Sequence, residues 1–381
     1  MFEIFILLFF LRRSLKIEEK FYCIFVPLIH FQGLSLKKQF VSLLRFILYP
    51  FSLLYDLVTR IRNFFYDLGF FKSKTFSIPI IAVGNLSVGG TGKTPQIEYL
   101  IKVLQNNYKI AVLSRGYKRK TKGFILIDGT HTSEDVGDEP LQFFKKFPKI
   151  CVAVDENRVN GIRELQQKQS IDVVLLDDAY QHRKVKADCY ILLTKFDNLY
   201  TDDFVLPTGN LRENKGGAKR AHIIIVTKCP IDLSSEKQQD IKRKLKVTSK
   251  QHIFFSSISY HNKTSGNLNI PLDSLINYEI VLLTGIANPT PLVSFLKNKN
   301  NKVYHLKYSD HHNFTSKEIY TITAKYNAIP SEKKILLTTE KDYMRLSNKI
   351  SSLSYLKMST KFIEGDYQFN TSVKSFMKVL E

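Results

Sequence analysis

The apolar and polar positions divide the chain near residue 76. From there on, short apolar runs alternate with stretches of helical period. Ile78–Val83 is a continuous apolar run, as in a strand buried on both faces. Residues 94–104 carry the period of a helix, followed by apolar runs at Lys109–Leu113 and Lys149–Val154. Arg158–Gln169 is helical, and Asp172–Leu176, Cys189–Leu193 and His222–Val226 are further strand candidates. Alternation of this kind predicts a parallel α/β sheet. A charged stretch, Asp232–Lys250, interrupts the strand pattern and predicts a domain boundary. Ile253–Ser256, Ile280–Thr284, Val303–Tyr308 and Lys334–Thr338 then predict a second, smaller α/β domain.

Upstream the pattern is different. Leu54, Leu57, Val58, Ile61, Phe64, Phe65 and Leu68 recur at spacings of three and four, with Asp56, Arg60, Asn63 and Asp67 on the other side. Pro50 and Ser52 predict the start of this amphipathic helix and Gly69 its end. Its apolar face either packs on its own domain or lies in a membrane interface. Residues 2–11 are apolar, but a bilayer span needs about 20 such residues. Arg12, Arg13 and Lys16 follow that run rather than precede it, the reverse of a signal peptide. Neither export nor a transmembrane span is expected.

Composition narrows the function. The 381 residues allow two domains at roughly 100–200 residues each. A hydrophobic fraction of 44% excludes wholesale disorder. Lysine and arginine number 56 against 35 acids, a net charge of +21. That surplus points to an anionic partner, whether nucleic acid, acidic lipid or a phosphorylated substrate. The four cysteines, Cys23, Cys151, Cys189 and Cys229, form no C-x-x-C pair and are expected to be reduced.

Candidate chemistry begins at Ser87-Val88-Gly89-Gly90-Thr91-Gly92-Lys93-Thr94. This run follows a predicted strand and opens a predicted helix, the context of a phosphate-binding loop. Small residues let backbone N–H groups surround phosphate oxygens. Lys93 would reach the β- and γ-phosphates of ATP and Thr94 would hold Mg²⁺. The strict pattern has glycine where Ser87 stands. The strand 173–176 ends in Asp177 and Asp178, whose carboxylates suit Mg²⁺ directly or through water. Thr227-Lys228-Cys229-Pro230, after a late strand, lacks the aspartate by which a GTPase reads guanine.

The run from Val83-Gly84-Asn85-Leu86 into Gly89-Gly90-Thr91-Gly92-Lys93-Thr94-Pro95 resembles the tetraacyldisaccharide 4′-kinases of lipid A biosynthesis. A small hydroxyl residue commonly replaces the first loop glycine in that family, which accommodates Ser87. Further segments are similar in order: Leu113-Ser114-Arg115-Gly116-Tyr117, Val136-Gly137-Asp138-Glu139-Pro140 and Asp177-Asp178-Ala179-Tyr180-Gln181-His182. Leu206–Glu213, Thr284–Pro289, Asp310-His311-His312-Asn313-Phe314 and Thr338-Thr339-Glu340-Lys341-Asp342 complete the series.

The resemblance implies a P-loop NTPase-like parallel-sheet domain over residues 72–232 and a smaller α/β domain over 233–381, with the active site in the cleft between them. Residues 43–71 would be the membrane-interface helix. The implied reaction moves the γ-phosphoryl of ATP to the 4′-hydroxyl of an acylated disaccharide 1-phosphate lipid. The expected location is the cytoplasmic face of the bacterial inner membrane, with an anionic membrane surface as partner, no nucleic acid and a monomeric state. Asp138 matches the family's proposed base and His311 the histidine that partners it. Arg115, Gln181, Arg212 and Glu213 are candidates for contacts with the sugar, the phosphate or Mg²⁺, and His182 for ordering the metal shell. Many relatives carry glycine where Ala179 stands. The family usually begins close to Leu43–Leu44, so residues 1–42 are either an extension or the product of an upstream start codon, the latter being the expectation.

Three other readings share some of these features. A nucleic-acid-binding P-loop ATPase would share the loop and the charge, but the lysines are dispersed and the aromatics gather near the N-terminus. A non-catalytic, membrane-bound nucleotide sensor would bind ATP without transfer. Asp310-His311-His312 is also similar to the motif of DHH phosphoesterases, whose additional upstream carboxylates are not in that arrangement here.

Overall fold

The computed structural model describes residues 33–377, with side chains from Arg45 onward except that of residue 46. The expectations for residues 2–16 and for Cys23 lie outside the described residues. In chain order the elements are helix α1 (Gly33–Asp67), β1 (Ile80–Asn85), α2 (Lys93–Leu104), β2 (Ile110–Ser114), β3 (Ile125–Leu126), α3 (Ser133–Val136), α4 (Asp138–Lys146) and β4 (Cys151–Val154). Then come α5 (Arg158–Lys168), β5 (Val173–Asp177), β6 (Cys189–Lys195), β7 (Ile223–Thr227), α6 (Ser235–Leu245), β8 (His252–Gly266), β9 (Glu279–Thr284) and α7 (Thr290–Lys297). The last are β10 (Lys302–Lys307), α8 (Ser316–Asn327), β11 (Lys334–Thr339), α9 (Glu340–Leu346), β12 (Leu353–Phe362) and α10 (Asp366–Ser375).

The described chain falls into two compact units. One holds the residues up to Phe71 with 86–88 and 200–219; the other holds the remainder. The larger unit is built on one 12-stranded sheet in the order β10-β9-β11-β12-β8-β7-β6-β1-β5-β2-β4-β3. Pairing is parallel except for β3 with β4 and β12 with β8. β8 joins the strands before residue 232 to those after it. Its first residues pair parallel with β7 and its later ones antiparallel with β12.

Burial explains the apolar runs. All six residues of β1 are buried, because β5 and β6 flank it and helices cover both faces. Ile81 and Val83 face a core with Ile97, Ile101, Val112, Phe143 and Leu175. Ile80 and Ala82, one residue out of phase, face Leu113, Ile162, Leu165 and Leu176. β9 repeats this alternation, with Ile280 and Leu282 on one face and Val281 and Leu283 on the other. Gly84 is fixed by packing: a Cβ there would come within 2.7 Å of the Tyr180 Cβ.

Several elements depart from the sequence pattern. The charged stretch after Asp232 contains α6, capped by the Ser234 hydroxyl, which accepts from the Lys237 N–H. Its charged face is exposed, while Gln238, Ile241 and Leu245 are buried. β12 escapes the apolar-run criterion because alternate residues, such as Ser359 and Lys361, are polar. α10 closes over the first core, where Phe369 and Val373 join Ile97 and Ile101.

In the smaller unit, α1 passes through Pro50 instead of starting there. A proline inside a helix costs about 3 kcal/mol, which a helix with several turns on either side sustains. The orientation of α1 also differs from a helix that buries its apolar face. Ser52 is 2% exposed, whereas Leu57 and Phe64 are 54% and 56% exposed. The buried side is polar. Ser52 donates to Thr208 Oγ1 at 2.6 Å, Tyr55 to the Arg212 carbonyl at 2.7 Å, and Asn63 to Glu213 Oε2 at 2.7 Å. Asn214 donates to Asp56 Oδ1 at 3.1 Å. Hydrogen bonds therefore seat the helix, leaving Leu53, Leu54, Leu57, Val58, Ile61, Phe64 and Leu68 outward. Among the described residues, no helix is long and apolar enough to cross a membrane.

Candidate active site

The carboxyl ends of parallel strands gather the chemistry, as expected for an open α/β sheet. β1 ends at Asn85, β2 at Ser114, β5 at Asp177 and β7 at Thr227. The loop after β1 turns through Gly89 (φ 101°) and Gly92 (φ 91°), left-handed values that favour glycine. Gly92 then stands at the N-cap of α2, so Lys93 and Thr94 open the helix. The Thr227 hydroxyl donates to the Thr91 carbonyl at 2.8 Å, and Lys228 Nζ donates to the Gly90 carbonyl at 2.7 Å. Both bonds occupy main-chain carbonyls of the loop, which suits a loop that presents N–H groups to an anion. Ser87 and Val88 belong to the smaller unit, where Ser87 bridges Leu211 and the Val88 N–H donates to the Asn210 carbonyl at 2.8 Å.

Lys93 Nζ lies 3.4 Å from Asn85 Oδ1 and 3.6 Å from Asp178 Oδ1. Asp178 takes a left-handed φ of 48° after the strand. Asp177 is buried, and its Oδ2 accepts from the Ser114 hydroxyl at 3.1 Å. Its other oxygen, Oδ1, is buried with no hydrogen-bond partner. Burial, then the neighbouring Asp178 charge, pushes the Asp177 carboxyl up to about 6. A desolvated carboxylate oxygen left unmatched beside a second carboxylate fits a divalent cation. Gln181 Nε2 donates to the Asn85 carbonyl at 2.9 Å, so it braces the strand end. Arg115 is exposed just beyond β2.

A second constellation joins distant segments of the larger unit. Asp138 opens α4 after Gly137, whose φ of 92° sets the turn. His311 follows β10 with φ 58°, and its N–H donates to the Gly285 carbonyl at 3.1 Å. These backbones place His311 Nδ1 2.8 Å from Asp138 Oδ2, with both side chains nearly buried. On the opposite side of the imidazole, Nε2 is 2.9 Å from Lys341 Nζ. Arg345 Nε lies 3.3 Å from Asp138 Oδ1. Arg345 is held in turn by Asp342 at 2.7 Å and by the His312 carbonyl at 2.7 Å. Asp342 is fully buried and accepts from the Gly285 N–H and the Thr339 hydroxyl, each at 2.8 Å.

The structure thus brings Asp138 to His311, and Lys93 to Asp178. Arg212 and Glu213 lie in the smaller unit, with Glu213 buried against Asn63. Sequence reasoning missed Lys341 and Arg345. Lys341 stood inside a quoted segment without a role, and Arg345 lay just beyond it. The signal was the helical spacing of four between them, which puts both on one face of α9.

Known proteins are similar to this chain over most of its length. The family model described as tetraacyldisaccharide-1-P 4′-kinase matches residues 44–378. A tetraacyldisaccharide 4′-kinase of Flavobacterium johnsoniae is 52% identical over 89% of this chain and 98% of its own length. One from Bacteroides thetaiotaomicron is 46% identical over 78% of this chain and 82% of its own. Among solved structures, LpxK from Aquifex aeolicus in complex with ATP is 30% identical, with a TM-score of 0.71. That match covers 88% of this chain and 99% of the other.

Proposed function

Because the chain belongs to the tetraacyldisaccharide-1-P 4′-kinase family and is thus an ATP-dependent lipid A kinase, we propose that the Asp138–His311 pair and the Lys93 loop carry its phosphoryl transfer. The enzyme moves the γ-phosphoryl of ATP to the 4′-hydroxyl of tetraacyldisaccharide 1-phosphate. The nucleic-acid-binding alternative finds no support among these relatives. The observation that carries the site assignment is the 2.8 Å contact between Asp138 and His311, in the same unit as Gly89–Thr94.

In the proposed mechanism, the loop from Ser87 to Thr94 binds the ATP phosphates through main-chain N–H groups. Lys93 neutralises charge on the β- and γ-phosphates. Asp138 accepts the proton of the 4′-hydroxyl as that oxygen bonds to the γ-phosphorus and the bond to the β-phosphate oxygen breaks, releasing ADP. His311 holds Asp138 by its Nδ1 contact. Asp177, Asp178 and Thr94 are the residues that would hold Mg²⁺; bound there, it would offset phosphate charge. Residues 72–232 supply the nucleotide side and 233–381 supply His311. Arg115, Gln181, Arg212 and Glu213 are assigned to the surroundings of the sugar and phosphates.

The outward apolar face of α1 supports a place for this enzyme on a membrane. We assign it to the cytoplasmic face of the inner membrane, where ATP meets a lipid acceptor and +21 meets an anionic surface.

The test is transfer of label from γ-labelled ATP to detergent-dispersed tetraacyldisaccharide 1-phosphate. Label is expected in a lipid that has gained one phosphate, to vanish in Lys93→Ala, and to drop strongly in Asp138→Ala. Undiminished transfer in folded Asp138→Ala overturns the site assignment.

A further inference from the structure

We propose that Lys341 is a positioning residue that fixes His311 as the neutral tautomer with its hydrogen on Nδ1. This rests on the Asp138–His311 reading above and deepens it. A carboxylate has only acceptors, an ammonium has only donors, and a neutral imidazole has one of each. Asp138 Oδ2 lies 2.8 Å from Nδ1 and Lys341 Nζ lies 2.9 Å from Nε2. One assignment satisfies both contacts: Nδ1–H donates to Asp138, and the Nε2 lone pair accepts from Lys341. The opposite tautomer would set a lone pair against the carboxylate and an N–H against the ammonium.

The surroundings hold this arrangement. Lys341 Nζ also lies 3.0 Å from Glu139 Oε1 and 3.4 Å from Asp310 Oδ1. Burial works against its charge, but Glu139 and Asp310 outweigh that and raise its pKa. The same two carboxylates stand farther from Nε2, at 4.0 and 3.9 Å, and the ammonium is the nearer partner. The Tyr117 ring meets the imidazole edge-on at 5.3 Å between centroids. On the remaining side Arg345 contacts Asp138. The backbone is tied as well. Thr339 caps the first turn of α9, and the Asp342 that it binds also accepts from the Gly285 N–H, whose residue's carbonyl receives the His311 N–H. The backbone of His311 is therefore tied through Gly285 to the turn that carries Lys341.

The consequence is a division of roles. With its Nε2 lone pair occupied, His311 has no site left to take the substrate's proton. It orients Asp138, and Asp138 alone receives the proton.

The test uses full-length protein labelled with ¹⁵N-histidine, in long-range ¹H–¹⁵N spectra. Nine histidines are present, so His311 is identified by the signals lost in His311→Gln. In the wild type, His311 is expected to show a protonated Nδ1 and an unprotonated Nε2. In Lys341→Met the Nε2 signal should shift because its donor is gone, while Nδ1 stays protonated against Asp138. kcat should fall about 10- to 100-fold with KM for ATP unchanged, less than the 10²–10⁴-fold of a lost general base, and Lys341→Arg should restore part of it. A wild-type His311 protonated at Nε2 overturns the proposal, even if Lys341→Met fails to fold. So does Lys341→Met with an unchanged His311 spectrum. Undiminished transfer by Asp138→Ala would instead overturn the site assignment while leaving the tautomer result standing.

Discussion

His311 Nδ1 meets Asp138 Oδ2 at 2.8 Å although 173 positions separate them in the chain. The pairing depends on two left-handed backbone turns, Gly137 at φ 92° and His311 at φ 58°. Such pairs act as one unit, so their losses should not multiply. Asp138→Asn keeps the shape but removes the basic carboxylate, and kcat should fall about 10²–10⁴-fold with ATP affinity unchanged. His311→Gln should cost less. The double variant should be no slower than Asp138→Asn alone, as single-turnover lipid phosphorylation would show. Losses that multiply would mean the two residues act independently.

Asp177 makes stability depend on pH in an unusual direction. Burial and Asp178 push its carboxyl from an ordinary 3.8 up to about 6. The folded protein therefore binds this proton more tightly than the unfolded chain does. Its contribution favours folding at low pH and is lost as pH rises through the window from about 4 to about 6. A shift of this size corresponds to about 3 kcal/mol in the metal-free protein. Asp177→Asn should remove that dependence. Urea unfolding in chelator should then show the variant gaining on the wild type by about 1 kcal/mol between pH 5 and pH 7.5. Mg²⁺ should raise the wild-type midpoint at pH 7.5 and leave that of the variant unchanged.

Much of this site was legible because its chemistry is local in sequence. The phosphate loop and the strand-end pair Asp177–Asp178 announce themselves within a few residues, whereas Asp138 and His311 stand out only through the resemblance of their segments to a known family. What the sequence pattern missed is relational. Lys341 and Arg345 look like surface charges on a short helix until the fold sets them against His311 and Asp138. β12 was missed because it alternates, and the amphipathic pattern of α1 concealed which face would be buried. Periodicity identifies two faces of a helix. It does not say that Ser52, Tyr55 and Asn63 will find hydrogen-bond partners that seat the polar one.

That inversion on α1 puts the proposed membrane binding and the folding contacts on different faces of the helix. Leu57 and Phe64 are more than half exposed, so charged replacements should leave stability within about 0.5 kcal/mol. Burying each in lipid would contribute about 1.5–3 kcal/mol. Leu57→Asp/Phe64→Asp should therefore weaken binding to anionic vesicles at least about tenfold with an unchanged melting temperature. Ser52→Val should do the reverse: it breaks the buried bond to Thr208 and should destabilise by about 1–3 kcal/mol, while vesicle binding persists. Co-sedimentation and thermal melts of the same samples would separate the two effects. Equal loss of stability in both variants would count against the outward assignment.

Lys146 ties together three helices that carry residues of the proposed site. Its Nζ lies 2.8 Å from Glu98 on α2 and 2.6 Å from Glu340 on α9, while Lys146 itself ends α4. All three side chains are close to fully buried. Gln142 adds a 2.8 Å bond to Glu98. Lys93, Asp138 and Lys341 stand on these same helices. Lys146→Met would leave two buried carboxylates without a cation, a loss of about 3–5 kcal/mol. Burial already raises the Glu98 pKa against the opposing pull of Lys146. Removing the lysine should raise it further, so the variant's deficit should be largest near pH 7.5 and shrink as acid neutralises the carboxylates. Replacing the group as a whole, in Lys146→Met/Glu98→Gln/Glu340→Gln, should recover most of the loss. Urea unfolding of the three proteins at pH 5 and pH 7.5 would decide. A single variant as stable as the wild type at pH 7.5 would mean that the network does not hold these helices together.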